Sequence, residues 1–195
     1  MLDKLIALKE HVKTASQNPA FIHNAWFVKW HLEIVDKIAG ELLTHYPQAD
    51  RVMVEVMVWL HDYGKILDFD NQYEVTLTAG RQKLMQLGFP PAFIEQTISN
   101  ISILDKKMEL DLTNAPIEVQ IVSSADGLSH FIGPFMHLWW QENHTKPFTE
   151  LMEDNRSKAL KDMTRKIVLP EAKAAAELRY KFLLEQLGDV PQKIL

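Results

Sequence analysis

The sequence predicts an all-α fold, and three observations carry that prediction. Only 7 glycines are spread over 195 residues, which supplies few of the tight turns that β-hairpins need. Apolar residues recur at intervals of three and four along most of the chain. The breaks between these stretches are short, with no fixed-period repeat, low-complexity tract or Gly/Ser linker. The sum is about six to eight helices in one domain spanning residues 1–195.

The elements follow in order. MLDKLIALKEHVK at the N-terminus is amphipathic, with acids from Asp3 onward. Trp26 to Leu43 sets Phe27, Trp30, His31, Ile34, Val35, Ile38 and Leu42 on one helical face. Arg51 to His61 is ambiguous. Val52, Val54, Val56 and Val58 alternate as in a buried strand, yet Met53, Met57 and Trp59 between them are also apolar and fit a helix buried all round. Gly64 suits a helix C-terminus there. Thr78 to Leu87 reads as a helix stopped by Gly88 and Pro90. Ala92 to Leu104 is a second, and Pro116 opens a third that runs through Val119, Val122 and Asp126. Gly133 and Pro134 break the chain. Leu169 to Leu187 closes it with an alanine-rich helix whose expected apolar stripe is Leu178, Phe182, Leu183 and Leu187.

Composition narrows the function. The net charge is −5, with no clustered basic excess of the kind a nucleic-acid duplex needs. Lys158, Lys161, Arg165 and Lys166 alternate with Asp154, Asp162 and Glu171, which reads as a solvated helix face. There is no cysteine, so any metal site must be built from histidine and carboxylate. No signal-peptide core and no membrane-length apolar run is present, which predicts a cytoplasmic protein.

Chemistry concentrates at His61-Asp62. Imidazole beside carboxylate suits Mn²⁺, Mg²⁺, Fe²⁺, Co²⁺, Ni²⁺ or Zn²⁺. Neighbours on a regular helix point about 100° apart, so both reach one ion only near a helix end or with the metal set between their two directions. His31 lies earlier on an apolar helix face. Asp126 lies later, inside the apolar run Ile121, Val122, Ala125 and Leu128. A carboxylate among such neighbours needs a cation or a strong donor, because burying it unpaired costs several kcal/mol. No basic residue stands close to Asp126 in the sequence.

The order His31, His61-Asp62, Asp126 resembles the HD superfamily of metal-dependent phosphohydrolases. WLHDYGK (Trp59 to Lys65), LMQLGFPPAFIEQTI (Leu84 to Ile98) and IVSSADGLSHF (Ile121 to Phe131) are similar to the corresponding strings of that family. The likeness covers roughly residues 20–135, leaving 136–195 as a C-terminal helical extension. It implies an all-α fold in which His31, His61, Asp62 and Asp126 hold the metal. It also resolves the valine-rich stretch towards helix. Two-metal members add histidines between the HD pair and the last aspartate. Here Thr76 and Asn100 stand in that interval, so the resemblance implies one divalent ion.

The implied activity is hydrolysis of a phosphoester in a small metabolite or nucleotide by a metal-activated water. Lys65 resembles the lysine of HDxGK members, with a role on substrate phosphate beside Asp62. Asp68 and Asp70 are candidates for activating water. His130, four residues past Asp126, is a second-shell or structural histidine. Phe135, Trp139 and Trp140 suggest packing or a pocket wall. His11, His23, His45, His137 and His144 show no partner pattern. Two other readings stay open: a metal- or nucleotide-binding module without turnover, and a helical interaction protein with structural histidines.

Overall fold

The computed structural model describes residues 1–187 and Lys193. Among them are ten α-helical segments, joined by short turns and no strand. The expected fold class stands, with more helices than the six to eight expected. The surplus comes from short pieces that periodicity cannot resolve.

The order is α1 (Leu2–Ser16), α2 (Glu33–Leu42), α3 (Arg51–Leu60), α4 (Tyr63–Leu67), α5 (Gln72–Gln86), α6 (Pro91–Asp105), α7 (Ile117–Ser129), α8 (Phe135–Glu142), α9 (Phe148–Lys161) and α10 (Pro170–Leu187). π-helical turns precede α2 (Val28–Leu32) and follow α9 (Asp162–Lys166), and a 3₁₀ turn (Leu112–Asn114) precedes α7. None of the helices is long and apolar enough to cross a membrane.

Two buried helices organise the core. In α3 every residue from Val56 to Leu60 is buried, because α1, α2, α6 and α7 pack around it. Strand propensity in its alternating valines is overridden by this burial on all sides and by an N-cap, where Asp50 accepts the Met53 amide at 3.0 Å. In α7 every residue from Ile121 to Ser129 is buried. That helix is covered by α2, α3, α6, α10 and the Asp162–Lys166 turn.

Two glycines matter through space rather than through backbone angle. A Cβ at Gly64 would lie 1.9 Å from the Gln72 carbonyl oxygen. Gly64 therefore does not end α3, as expected, but lets α5 close against α4. A Cβ at Gly127 would lie 2.8 Å from both the Lys166 and Ile167 side chains. Gly127 thus lets the Asp162–Lys166 turn lie flat on α7.

The expected stripe of α10 holds at Leu187 and is corrected at Leu178 and Phe182. Leu178 and Phe182 are 78% and 60% exposed, whereas Ala172, Ala176 and Leu187 are buried. The close approach of α10 to α7 and α9 selects the small side chains for the inner face.

Candidate metal centre

α3 and α7 end side by side, with His61 and His130 as their C-terminal caps. Helix C-termini carry partial negative charge, so both ends favour a cation. His31 arrives from the π-turn before α2, and Asp62 sits at the break between α3 and α4. That break lets adjacent His61 and Asp62 face one point.

The hydrogen bonds set the histidine tautomers. His61 Nδ1 lies 2.8 Å from the Val58 carbonyl and must donate to it. Ser129 gives its one proton to the Asp126 carbonyl at 2.7 Å, so at 3.3 Å its oxygen accepts from His31 Nδ1. In the neutral rings, the form that can bind a metal, the Nε2 atoms of His31 and His61 therefore carry the lone pairs. Both are buried without a hydrogen-bond partner.

These lone pairs face carboxylates. His31 Nε2 lies 3.4 Å and His61 Nε2 3.6 Å from Asp62 Oδ2. The same nitrogens lie 3.9 and 4.0 Å from Asp126 Oδ1, and His130 Nε2 lies 3.4 Å from that oxygen. Acceptors turned on one another inside a protein are unfavourable unless a cation joins them. At a metal–ligand distance of about 2.1 Å, tetrahedral neighbours stand about 3.4 Å apart and octahedral neighbours about 3.0 Å. The observed spacing begins at the tetrahedral value. The buried cluster of His31, His61, Asp62, Asp126 and His130 could hold a metal ion.

Lysines complete the electrostatics, and the two carboxylates use them differently. Lys65 Nζ sits 2.7 Å from Asp62 Oδ2, the oxygen that faces the histidines. Lys166 Nζ sits 2.6 Å from Asp126 Oδ2, leaving Oδ1 to the histidines. Burial opposes ionisation of both acids. Lys65 nonetheless holds Asp62, and Lys166 holds Asp126, well below the usual carboxylate range. Burial lowers His31 and keeps it neutral, against the pull of Asp62 and Asp126. Burial also works against Lys166, yet Asp126 and Asp162 hold it above the ordinary lysine value.

Four members of the cluster, His31, Asp62, Asp126 and His130, line the floor of a cavity of about 470 Å³, and His61 does not. Five lysines and three aspartates line it, a positive wall on a chain whose net charge is −5. Trp26, Phe27, Phe69, Phe135 and Trp139 supply apolar surface. No family model, curated protein or solved structure matches the chain.

The structure brings His31, His61, Asp62 and Asp126 together and sets Lys65 beside them. Thr76 and Asn100 lie elsewhere in the core, bonded to the Gly64 amide and to Met53 Sδ. Asp68 does not line the cavity, and it accepts from Asn71 and the Asp70 amide instead. Asp70 is exposed and also lies off the wall. Phe135 and Trp139 are wall residues, whereas Trp140 is not.

Other readings are overturned. Lys158, Asp162 and Lys166 are not a solvated face. Asp162 is fully buried, Lys166 is 7% exposed, and Lys158 and Lys166 line the cavity. The basic partner of Asp126, missing nearby in sequence, is Lys166 forty residues later. His23 is not ordinary, since it borders the cavity and pairs with Glu142 at 2.9 Å. Gly127 next to Asp126 was the one local sign of an element pressed against α7.

Proposed function

We propose that this chain is a metal-dependent phosphohydrolase acting on a small phosphoester, with one divalent ion held by His31, His61, Asp62 and Asp126. The observation that carries the reading is the set of unprotonated Nε2 atoms facing two ionised carboxylates on the floor of a lysine-walled cavity. A bound divalent ion supplies Lewis-acid polarisation of a phosphoryl oxygen and a water of lowered pKa.

The remaining work falls to the chain. Lys65 and Lys161 stand at the cavity with their stems partly or largely exposed. As point charges they attract a phosphate dianion and hold it over the floor. Lys158 also lines the cavity, with its charge already engaged by Asp162. The aromatic wall excludes water from the phosphoester and gives a flat or apolar leaving portion a surface to rest on.

The test joins elemental analysis with a screen of phosphate esters. The expected result is one ion per chain after loading with Mn²⁺ or Co²⁺ and metal-stimulated phosphate release. Two tightly held ions, or none, count against the site.

One observation favours a second reading, a binding module without turnover. Each carboxylate lining the cavity is already ion-paired: Asp62 to Lys65, Asp126 to Lys166 and Asp154 to Lys146. None is left free to take a proton from water. Metal uptake with phosphate-ester binding but no release of phosphate is the outcome that selects it.

A further inference from the structure

The cluster has a support that comes from outside the residues read as its ligands. Asp162, at the first position of the turn after α9, is buried completely. Its Oδ2 lies 2.8 Å from His130 Nδ1, and Lys158 Nζ lies 2.6 and 2.8 Å from its two oxygens. Lys166, which grips Asp126, lies 3.6 Å from its Oδ1.

We propose that Asp162 is a positioning residue that selects the tautomer of His130 and so makes His130 a fifth donor to the metal. A carboxylate can only accept, so the proton of neutral His130 must sit on Nδ1, and Nε2 is left with a lone pair. That lone pair points at Asp126 Oδ1, 3.4 Å away, in the same sense as those of His31 and His61.

The choice is not automatic. Lys158 Nζ also lies 2.7 Å from His130 Nδ1, and an ammonium there would donate to it. The imidazole proton would then move to Nε2 and block it as a ligand. Asp162 opposes this: its Oδ2 accepts the Nδ1 proton, and its two oxygens engage the Lys158 ammonium. A carboxylate behind a ligating histidine fixes ring orientation and raises ligand basicity, and removing such a partner typically weakens metal binding about 10–100-fold.

The inference rests on the metal-centre reading above, and its test separates the two. Long-range ¹H–¹⁵N correlation on the metal-free protein reports the His130 tautomer, and a Co²⁺ titration reports affinity. Wild type is expected to show Nδ1–H. Asp162→Ala is expected to show Nε2–H and to bind Co²⁺ about 10–100-fold more weakly. Asp162→Asn keeps the side-chain shape and guards against misfolding of the alanine variant. Its amide still accepts at one atom, so its loss is expected to be smaller. Purely structural support from Asp162 would lower thermal stability without moving the tautomer. Wild-type tautomer and affinity in both variants overturn this inference alone. Failure of wild type to take up Co²⁺ overturns the metal centre and with it the donor role of His130.

Discussion

The Asp62 side and the Asp126 side of the cluster solve the same electrostatic problem at different depths. Asp62 stands at a helix break, with its side chain 12% exposed and its lysine 30% exposed. Asp126 lies in the last turn of α7, and both it and Lys166 are below 10%. At the shallow side the lysine sits on the very oxygen that faces the histidines. At the deep side it holds the opposite oxygen. The shallower, part-buried ion pair can therefore yield its oxygen to a metal, whereas the deeply buried pair acts as a brace.

The largest effect expected from this contrast is at the brace. Lys166→Met keeps the stem but leaves Asp126 without its cation, while Asp162 keeps Lys158. Breaking a buried pair on one side costs about 3–5 kcal/mol. Urea unfolding of the metal-free protein should show a loss of that size. A loss below about 1 kcal/mol would mean that the deep pair is no more important than a surface one.

Metal removal comes next. A ligand at a hundred times its dissociation constant stabilises by about 2.7 kcal/mol. A histidine must be neutral to bind metal. Burial already lowers His31, so protons should not compete there until the pH falls below the ordinary value near 6.5. Asp62 and Asp126, both lowered, stay ionised throughout. The rise in melting temperature caused by Mn²⁺ should be similar at pH 8 and 6.5 and shrink markedly towards pH 5. An equal rise at pH 8 and pH 5 would mean that histidine does not hold the ion.

The same contrast explains what was legible in the sequence. His31, His61, Asp62 and Asp126 could be picked out because polar residues in apolar helical runs stand out against their neighbours. The valine stretch could not be settled locally, since burial on all sides erases periodicity, and its Asp50 cap is a single residue. Lys158, Asp162 and Lys166 were hidden for the opposite reason. Alternating charges spaced along a helix look the same whether they face water or each other. The π-turn that carries two of them leaves no mark in spacing. In α10, Ala172 and Ala176 face inward with Leu187, while Leu178 and Phe182 stay exposed, because close helix approach favours small side chains over most of that face.

A smaller effect is expected at Gly127. Alanine there would meet Lys166 Cβ and Ile167 at 2.8 Å, and overpacking of this kind costs about 1–3 kcal/mol. The turn must lift, which lengthens the Lys166–Asp126 contact as well. Gly127→Ala should therefore weaken Co²⁺ binding along with stability. Lost stability with unchanged affinity would show that the turn braces the fold and not the site.

The smallest effect belongs to Lys65, and its sign matters more than its size. The pair is only partly buried, so Lys65→Ala should move the urea midpoint less than Lys166→Met does. Yet Lys65 occupies Asp62 Oδ2, the oxygen turned to His31 and His61. Removing it frees that oxygen and takes a positive charge away from the cluster. Divalent cation affinity should then rise a few-fold in a Co²⁺ titration, while Lys166→Met should lower it. If Lys65 also holds substrate phosphate equally in ground and transition states, the same variant raises KM and leaves kcat nearly unchanged. Weaker metal binding in Lys65→Ala would show that Lys65 braces Asp62 as Lys166 braces Asp126. The two sides would then differ only in depth and not in function.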